Sequence, residues 1–248
     1  MAKSVVITGG NRGIGRAITS EFIKAGYHVI VGARKSENIE SVDPDRVSFF
    51  AMDVRDEDVH IALAEKAISI TGNLDVWVNN AGISSWRPIT AIDEKFFDKL
   101  MNINLKGAFW GCKAAAQNMP NGGAIINISS IAGKRGSANN SMYCATKFGM
   151  NGLTQSLAKE LGPQGIRVNA ICPVLIKTDG LIDALAKEFS PANGDPEGFI
   201  EKFCRANAAT GYLPTGEDVG SMALYLASSV AKSITGQCIN VDAGVFPQ

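Results

Sequence analysis

Histidine is nearly absent from this 248-residue chain: His28 and His60 are the only two. Neither belongs to a cluster with metal-ligand spacing, and there is no G-x-S-x-G elbow, so the parts for zinc chemistry or a Ser-His-Asp triad are missing and no metal is expected. Net charge is missing as well. The 24 basic residues balance 24 acidic ones, and they are scattered rather than gathered into a stripe, so nucleic acid is not an expected partner. No uncharged apolar run approaches the roughly 18 residues needed to cross a bilayer, and a membrane is not expected either. The opening "MAKSVVITGG" enters an apolar run at once, which leaves no room for the regions of an export signal. Cys112, Cys144, Cys172, Cys204 and Cys238 are odd in number and dispersed, which fits reduced thiols and a cytoplasmic location better than a disulfide framework. No linker, repeat or charged tail divides the chain. With 46% hydrophobic residues it has material for a full-sized core, and one domain over residues 1–248 is expected.

What is present is a rhythm. "SVVIT", "HVIVG", "VSFFA", "LDVWVN", "AIINIS", "IRVNAI" and "QCINVD" are short β-branched runs separated by longer helical patterns. Seven strands interleaved with helices predict parallel βαβ units, and runs apolar on both faces predict a sheet covered by helices on each side. The expected fold is therefore α/β, a Rossmann-type doubly wound seven-stranded parallel sheet. Residues 178–214 break the pattern and read as an insertion, a lid over the substrate.

The first strand runs into "TGGNRGIGRAI". Gly9, Gly10, Gly13 and Gly15 stand where strand turns to helix, and the missing side chains let backbone N–H groups and a helix N-terminus approach a pyrophosphate. The spacing is G-x-x-x-G-x-G, and glycine clusters at turns also occur for purely structural reasons. An acid about 20 residues on would favour NAD. Here the second strand ends "VGARKSEN", with Arg34 following Ala33, and Arg12 adds a second cation inside the loop. Two guanidinium groups suit a 2′-phosphate, so NADP is favoured over NAD. Further on, "SMYCATKFG" sets Tyr143 and Lys147 four residues apart, one turn apart on one helix face. Taken alone such a pair is an ordinary packed couple.

The motifs together are more specific. With T-G-x-x-x-G-I-G at residues 8–15, N-N-A-G at 79–82, "NINLKG" at 102–107, Ser130, and Y-x-x-x-K at 143–147, the chain resembles the short-chain dehydrogenase/reductase (SDR) family over essentially its whole length. The resemblance implies an NAD(P)-dependent oxidoreductase acting on CH–OH groups, commonly a homotetramer or dimer. It implies Tyr143 as acid or base, Ser130 on the substrate oxygen, Lys147 on the nicotinamide ribose and Asn104 helping to carry a water between Lys147 and solvent. For the cofactor it implies Gly9, Asn11, Arg12, Gly13, Ile14, Gly15, Arg34, Asp53, Val54, Asn80, Ala81, Gly82, Tyr143, Lys147, Pro173, Ile176 and Thr178. A helix cap for "RDEDV" is the competing account of Asp53; backbone satisfaction in a bent helix is the competing account of Asn104. A phenol near pKa 10 is a poor base, but an adjacent ammonium and an oxidised nicotinamide would both favour the phenolate. Ser129 is set aside because adjacent strand side chains point to opposite faces.

Two departures bear on the substrate. The family usually has Pro-Gly after the sixth strand, whereas this chain has Pro173-Val174; Val174 disfavours positive φ and is expected to line the substrate pocket in a slightly shifted loop. The 3-oxoacyl-[acyl-carrier-protein] reductases of the family offer basic residues at the entrance, where Ala124, Ile182 and Asp183 stand here. With Trp86, Leu181, Phe189 and Phe199 as lid residues, the expected substrate is a small or medium alcohol or ketone of sugar, polyol or hydroxy-ketone type. The acyl-carrier reductase is the alternative, and a non-catalytic NADPH-binding sensor of the same fold is a further one.

Overall fold

The computed structural model describes residues 3–37, 39 and 43–247; residues 1, 2, 38, 40–42 and 248 of the expected domain lie outside the described residues. Seven strands, β1 (Ser4–Thr8), β2 (His28–Ala33), β3 (Val47–Ala51), β4 (Val76–Asn79), β5 (Gly123–Ile128), β6 (Ile166–Pro173) and β7 (Cys238–Val241), form one sheet in the order β3-β2-β1-β4-β5-β6-β7. Every pairing is parallel, from Ser4 against His28 to Pro173 against Val241. All the predicted strands form. Ser129 falls just beyond β5, and β6 runs two residues past its apolar signal, to Pro173.

The strands lack polar alternation because both faces are covered. Val5 and Ile7 of β1 point into a core shared with α1 (Gly13–Lys24) and α8 (Gly216–Ala227), while Val6 points into another with α2 (Asp58–Thr71), α4 (Gly107–Asn118) and α5 (Ser141–Leu161). All three side chains are fully buried, each contributing about 1.5–3 kcal/mol of apolar burial. The sequence order reverses between β1 and β4, so the chain leaves those neighbouring strands in opposite directions and opens a crevice at their carboxyl ends. The glycine turn and "NAG" line its two sides.

The segment read as an irregular insertion contains two helices, α6 (Asp179–Leu185) and α7 (Pro196–Asn207). Thr178 caps α6 by accepting from the Leu181 N–H, and Asp195 caps α7 by accepting from the Gly198 N–H with Pro196 in the first turn. Ala184, Leu185, Ala192 and Ile200 close a separate small core around Trp86. No helix among the described residues is long and apolar enough to cross a membrane.

Candidate active site

The crevice is tied shut at its base. Thr8 Oγ1 accepts from the N–H groups of Asn80 and Ala81, both at 3.1 Å, and Asn80 Nδ2 donates to the carbonyls of Thr8 (2.9 Å) and Gly9 (3.2 Å). A Cβ on Gly15 would lie 2.1 Å from the Gly9 carbonyl oxygen and 2.4 Å from Asn80 Nδ2, so nothing larger than glycine fits this turn. Gly13 adopts φ +52°, and a Cβ there would meet the Thr178 methyl at 3.4 Å, which brings the loop after β6 against the glycine turn. Asn11 is buried and its Nδ2 donates to the Lys35 carbonyl at 3.1 Å. Ile14 packs partly buried against the α1 core, and Arg12 stands exposed at the start of α1. The result is a cradle with its backbone exposed and its side chains withdrawn, which fits a dinucleotide pyrophosphate.

Arg34 is exposed just beyond β2. Asp53 does not cap α2, whose capping residue is Glu57. Its carboxylate is held by Arg55 through Nε at 3.0 Å and Nη2 at 2.7 Å. Those bonds, with the charge of Arg34 as a lesser cause, hold its carboxyl below the usual range. Arg55 and Thr8 are residues that sequence reasoning missed; the Asp-x-Arg spacing was the available sign of the first. The Val54 carbonyl accepts from His60 Nε2 at 3.0 Å and lies 3.0 Å from where a Cβ on Gly107 would be.

Tyr143 and Lys147 are one turn apart near the start of α5. Gly133 between Ser130 and α5 packs so closely that a Cβ would lie 2.7 Å from the Lys147 carbonyl. Ser130 follows β5 as the cap of a short 3-10 turn, accepting from the Ala132 N–H at 3.1 Å, and its hydroxyl is near enough to Tyr143 to pull the phenol down. Ser129 is buried, and its hydroxyl donates to the Lys147 carbonyl at 3.4 Å. The two serines do diverge, although at a turn rather than on a strand.

Lys147 is 4% exposed. Its Nζ donates to the Ile128 carbonyl at 2.7 Å and lies 5.7 Å from the centre of the Tyr143 ring. Burial pushes the Tyr143 phenol up to about 12, outweighing the Ser130 hydroxyl that pulls it down. Burial likewise pushes the Lys147 ammonium down to about 8. The expectation that the ammonium would bring the phenol down is corrected here: desolvation favours the neutral form of both groups, and the lysine aims at a carbonyl. Asn104 is fully buried, with Oδ1 accepting from the Ile83 N–H at 2.8 Å and Nδ2 donating to the Ile83 carbonyl at 2.9 Å. Its amide does what the competing account described. It sits in a π-helical stretch, Met101–Lys106, and a Cβ on Gly82 would lie 3.4 Å from its Oδ1 and 3.9 Å from Lys147 Nζ.

The Pro173 carbonyl accepts from the Ser130 hydroxyl at 3.5 Å. Val174 is buried, outside the positive-φ region, with its N–H on the Val241 carbonyl at 3.4 Å, so this position needs no glycine. Ile176 is buried in the α1/α8 core. Trp86 is buried inside the lid core with Leu181, Phe189 and Phe199 packed against that core.

Residues 3–188 match the family model for short chain dehydrogenases. The chain is 36% identical over 255 residues to a 3-oxoacyl-[acyl-carrier-protein] reductase FabG of Staphylococcus aureus, covering 99% of each. It is 34% identical to an L-2,3-butanediol dehydrogenase of Corynebacterium glutamicum, again covering 99% of each. Among solved structures, ElxO with NADP bound matches with a TM-score of 0.89 and 33% identity, covering 100% of both chains.

Proposed function

The chain belongs to the short-chain dehydrogenase/reductase family and is an oxidoreductase acting on CH–OH groups, and from that premise we propose an NADP(H)-dependent enzyme for small or medium alcohols and ketones of sugar, polyol or hydroxy-ketone type. The observation that carries the reading is the gathering of Ser130, Tyr143 and a buried Lys147, whose Nζ lies 5.7 Å from the centre of the Tyr143 ring. Bound NADPH supplies the hydride. Tyr143, kept neutral by burial, donates its proton to the carbonyl oxygen, and Ser130 steadies that oxygen because a hydroxyl can both donate and accept as charge develops. Lys147 recharges Tyr143 and holds the nicotinamide ribose. Asn104 clamps Ile83 and so fixes Gly82 beside Lys147; with its amide engaged, a water at this point is held through the main chain.

The glycine turn (Gly9, Asn11, Arg12, Gly13, Ile14, Gly15) with Asn80, Ala81 and Gly82 would hold the pyrophosphate and nicotinamide side. Asp53 and Val54 would hold adenine, Arg12 and Arg34 the 2′-phosphate, and the backbone from Pro173 to Thr178 the carboxamide and phosphates. Val174, Leu181 and Trp86 bound the substrate pocket, Trp86 by shaping the lid rather than by direct contact. We assign residues 1–248 to one domain with a lid at about 178–214, in the cytoplasm, where five free cysteines are at home. A homotetramer or dimer is supported by exposed Phe109 on α4 and Phe148 on α5, with a groove between the Met101–Lys106 stretch, α4 and α5 lined by Met101, Leu105, Phe109 and Leu153. A second reading, 3-oxoacyl-[acyl-carrier-protein] reductase, is favoured by the name of the Staphylococcus relative.

A screen following NADPH and NADH absorbance in parallel over hydroxy-ketones, sugars, simple ketones and acyl thioesters tests the reading. Turnover with NADPH and a hydroxy-ketone is expected, and Arg34→Ala should lower kcat/KM for NADPH about tenfold or more while sparing NADH. Activity confined to acyl thioesters selects the second reading, and a preference for NADH overturns the cofactor assignment.

A further inference from the structure

We propose that Asn140 recognises a second oxygen on the substrate, on the carbon next to the reacting carbonyl, which selects vicinal hydroxy-ketones and diols over simple ketones and alcohols. The inference rests on the reading of the site given above.

Asn140 precedes α5 by one residue and is 5% exposed. Asparagine in that place ordinarily caps the helix through its side-chain oxygen, but the Asn140 side chain caps nothing. Its Nδ2 donates to the Ser137 hydroxyl at 3.3 Å, while its Oδ1 is buried without a partner. Turning the amide over would let Oδ1 accept from Ser137 and leave Nδ2 unpaired, so one end stays open in either orientation. A buried amide atom left in that condition carries a desolvation cost that a ligand can remove.

Its position is at the head of the helix that carries Tyr143. Asn140 stands three residues before Tyr143, and its carbonyl accepts the first helical bond, from the Cys144 N–H at 2.9 Å. The stretch from Ser130 to Tyr143 folds back onto α5, with the Gly133 carbonyl accepting from Asn151 Nδ2 at 2.9 Å, and Asn140 lies within that stretch. Its neighbour Asn139 accepts from the Arg87 N–H at 2.6 Å, which ties this corner to the segment carrying Trp86 and the lid. A hydroxyl on the adjacent carbon is both donor and acceptor, so it satisfies whichever amide end faces the substrate. A hydrocarbon chain there leaves the amide buried and unpaired, and such sites discriminate strongly against the analogue lacking the group.

The test compares NADPH-dependent reduction of 3-hydroxybutan-2-one with that of butan-2-one by the wild type, Asn140→Ala and Asn140→Asp, with thermal unfolding recorded for each. The wild type should prefer the hydroxy-ketone. Asn140→Ala should lower its kcat/KM about tenfold and change that for butan-2-one less than twofold, and Asn140→Asp, which keeps an acceptor, should recover part of the preference. An equal loss on both ketones, or no loss on either, overturns the role of Asn140 and leaves the reading of the site intact. A wild type that reduces neither ketone overturns the role of Asn140, and the reading of the site falls with it if the wider panel of sugars, polyols and ketones is also left unreacted.

Discussion

A carbon added to Gly15 in the crevice would lie 2.1 Å from a backbone carbonyl, whereas carbons added to Gly180, Gly194 or Gly211 in the lid segment would meet nothing within 4 Å. The crevice is tightly determined at its base, where Thr8, Asn80 and the glycine turn satisfy one another's backbone groups. The segment 178–214 has its own small core around Trp86 and open space at three of its four glycines, Gly198 alone being crowded by the Asp195 side chain that caps α7. One part of the molecule is held to a single ligand shape while the part facing it tolerates change, an arrangement that lets one cofactor serve many substrates.

The strongest test of this contrast is Gly15→Ala, which should reduce NADPH affinity at least a hundredfold or prevent folding, read by titration and circular dichroism. Tyr143→Phe comes next: kcat should fall by about 10²–10⁴ while NADPH binding stays within twofold, measured by steady-state kinetics and fluorescence titration. Because burial holds the phenol neutral, with its value raised to about 12, carbonyl reduction should be flat between about pH 6 and 7 and decline as Lys147, at about 8, loses the proton it passes on, and alcohol oxidation should climb with pH.

Lys147→Met separates function from fold within the crevice. The folded-state value of Lys147, about 8, lies below its ordinary 10.5. Between those values the unfolded state binds more protons, so the burial cost is present below about pH 8 and is relieved as pH rises through the window. The variant should be nearly inactive yet more stable at pH 7 by about 1–2 kcal/mol, part of the gain being offset by the lost bond to Ile128; urea unfolding checks it. The smallest effect belongs to the lid. Gly180→Ala in α6 should stabilise by about 0.4–1 kcal/mol and leave KM within twofold, and a hundredfold loss of activity there would erase the contrast between the two regions.

The strands and the glycine turn were legible because each is a local signal: apolar runs buried on both faces, and glycines where no Cβ fits. The Tyr143–Lys147 spacing was legible as a shared helix face. What the lysine does there was not, because its aim at Ile128 depends on where β5 ends relative to α5. The amide of Asn104 was hidden for the same reason, its partner Ile83 being 21 residues away. Gly180, Pro191, Gly194 and Pro196 interrupt the apolar period of the lid and disguised its helices, though Thr178 and the Asp195–Pro196 pair were usable capping signals. The pairing of Asp53 with Arg55 lay in the sequence as a two-residue step, and only the turn after β3 makes it a ring.

Trp86 has an optical consequence. Of the three tryptophans, Trp77 is sealed beneath the sheet with its indole N–H on Asn79 Oδ1, and Trp110 stands on α4 with Lys106 and Lys113 near its ring. Trp86 alone is embedded in the lid core. The chain thus carries an intrinsic probe whose emission follows the polarity of that small core, so any rearrangement of residues 178–214 on adding cofactor or substrate would be timed in a stopped-flow fluorimeter without attaching a dye.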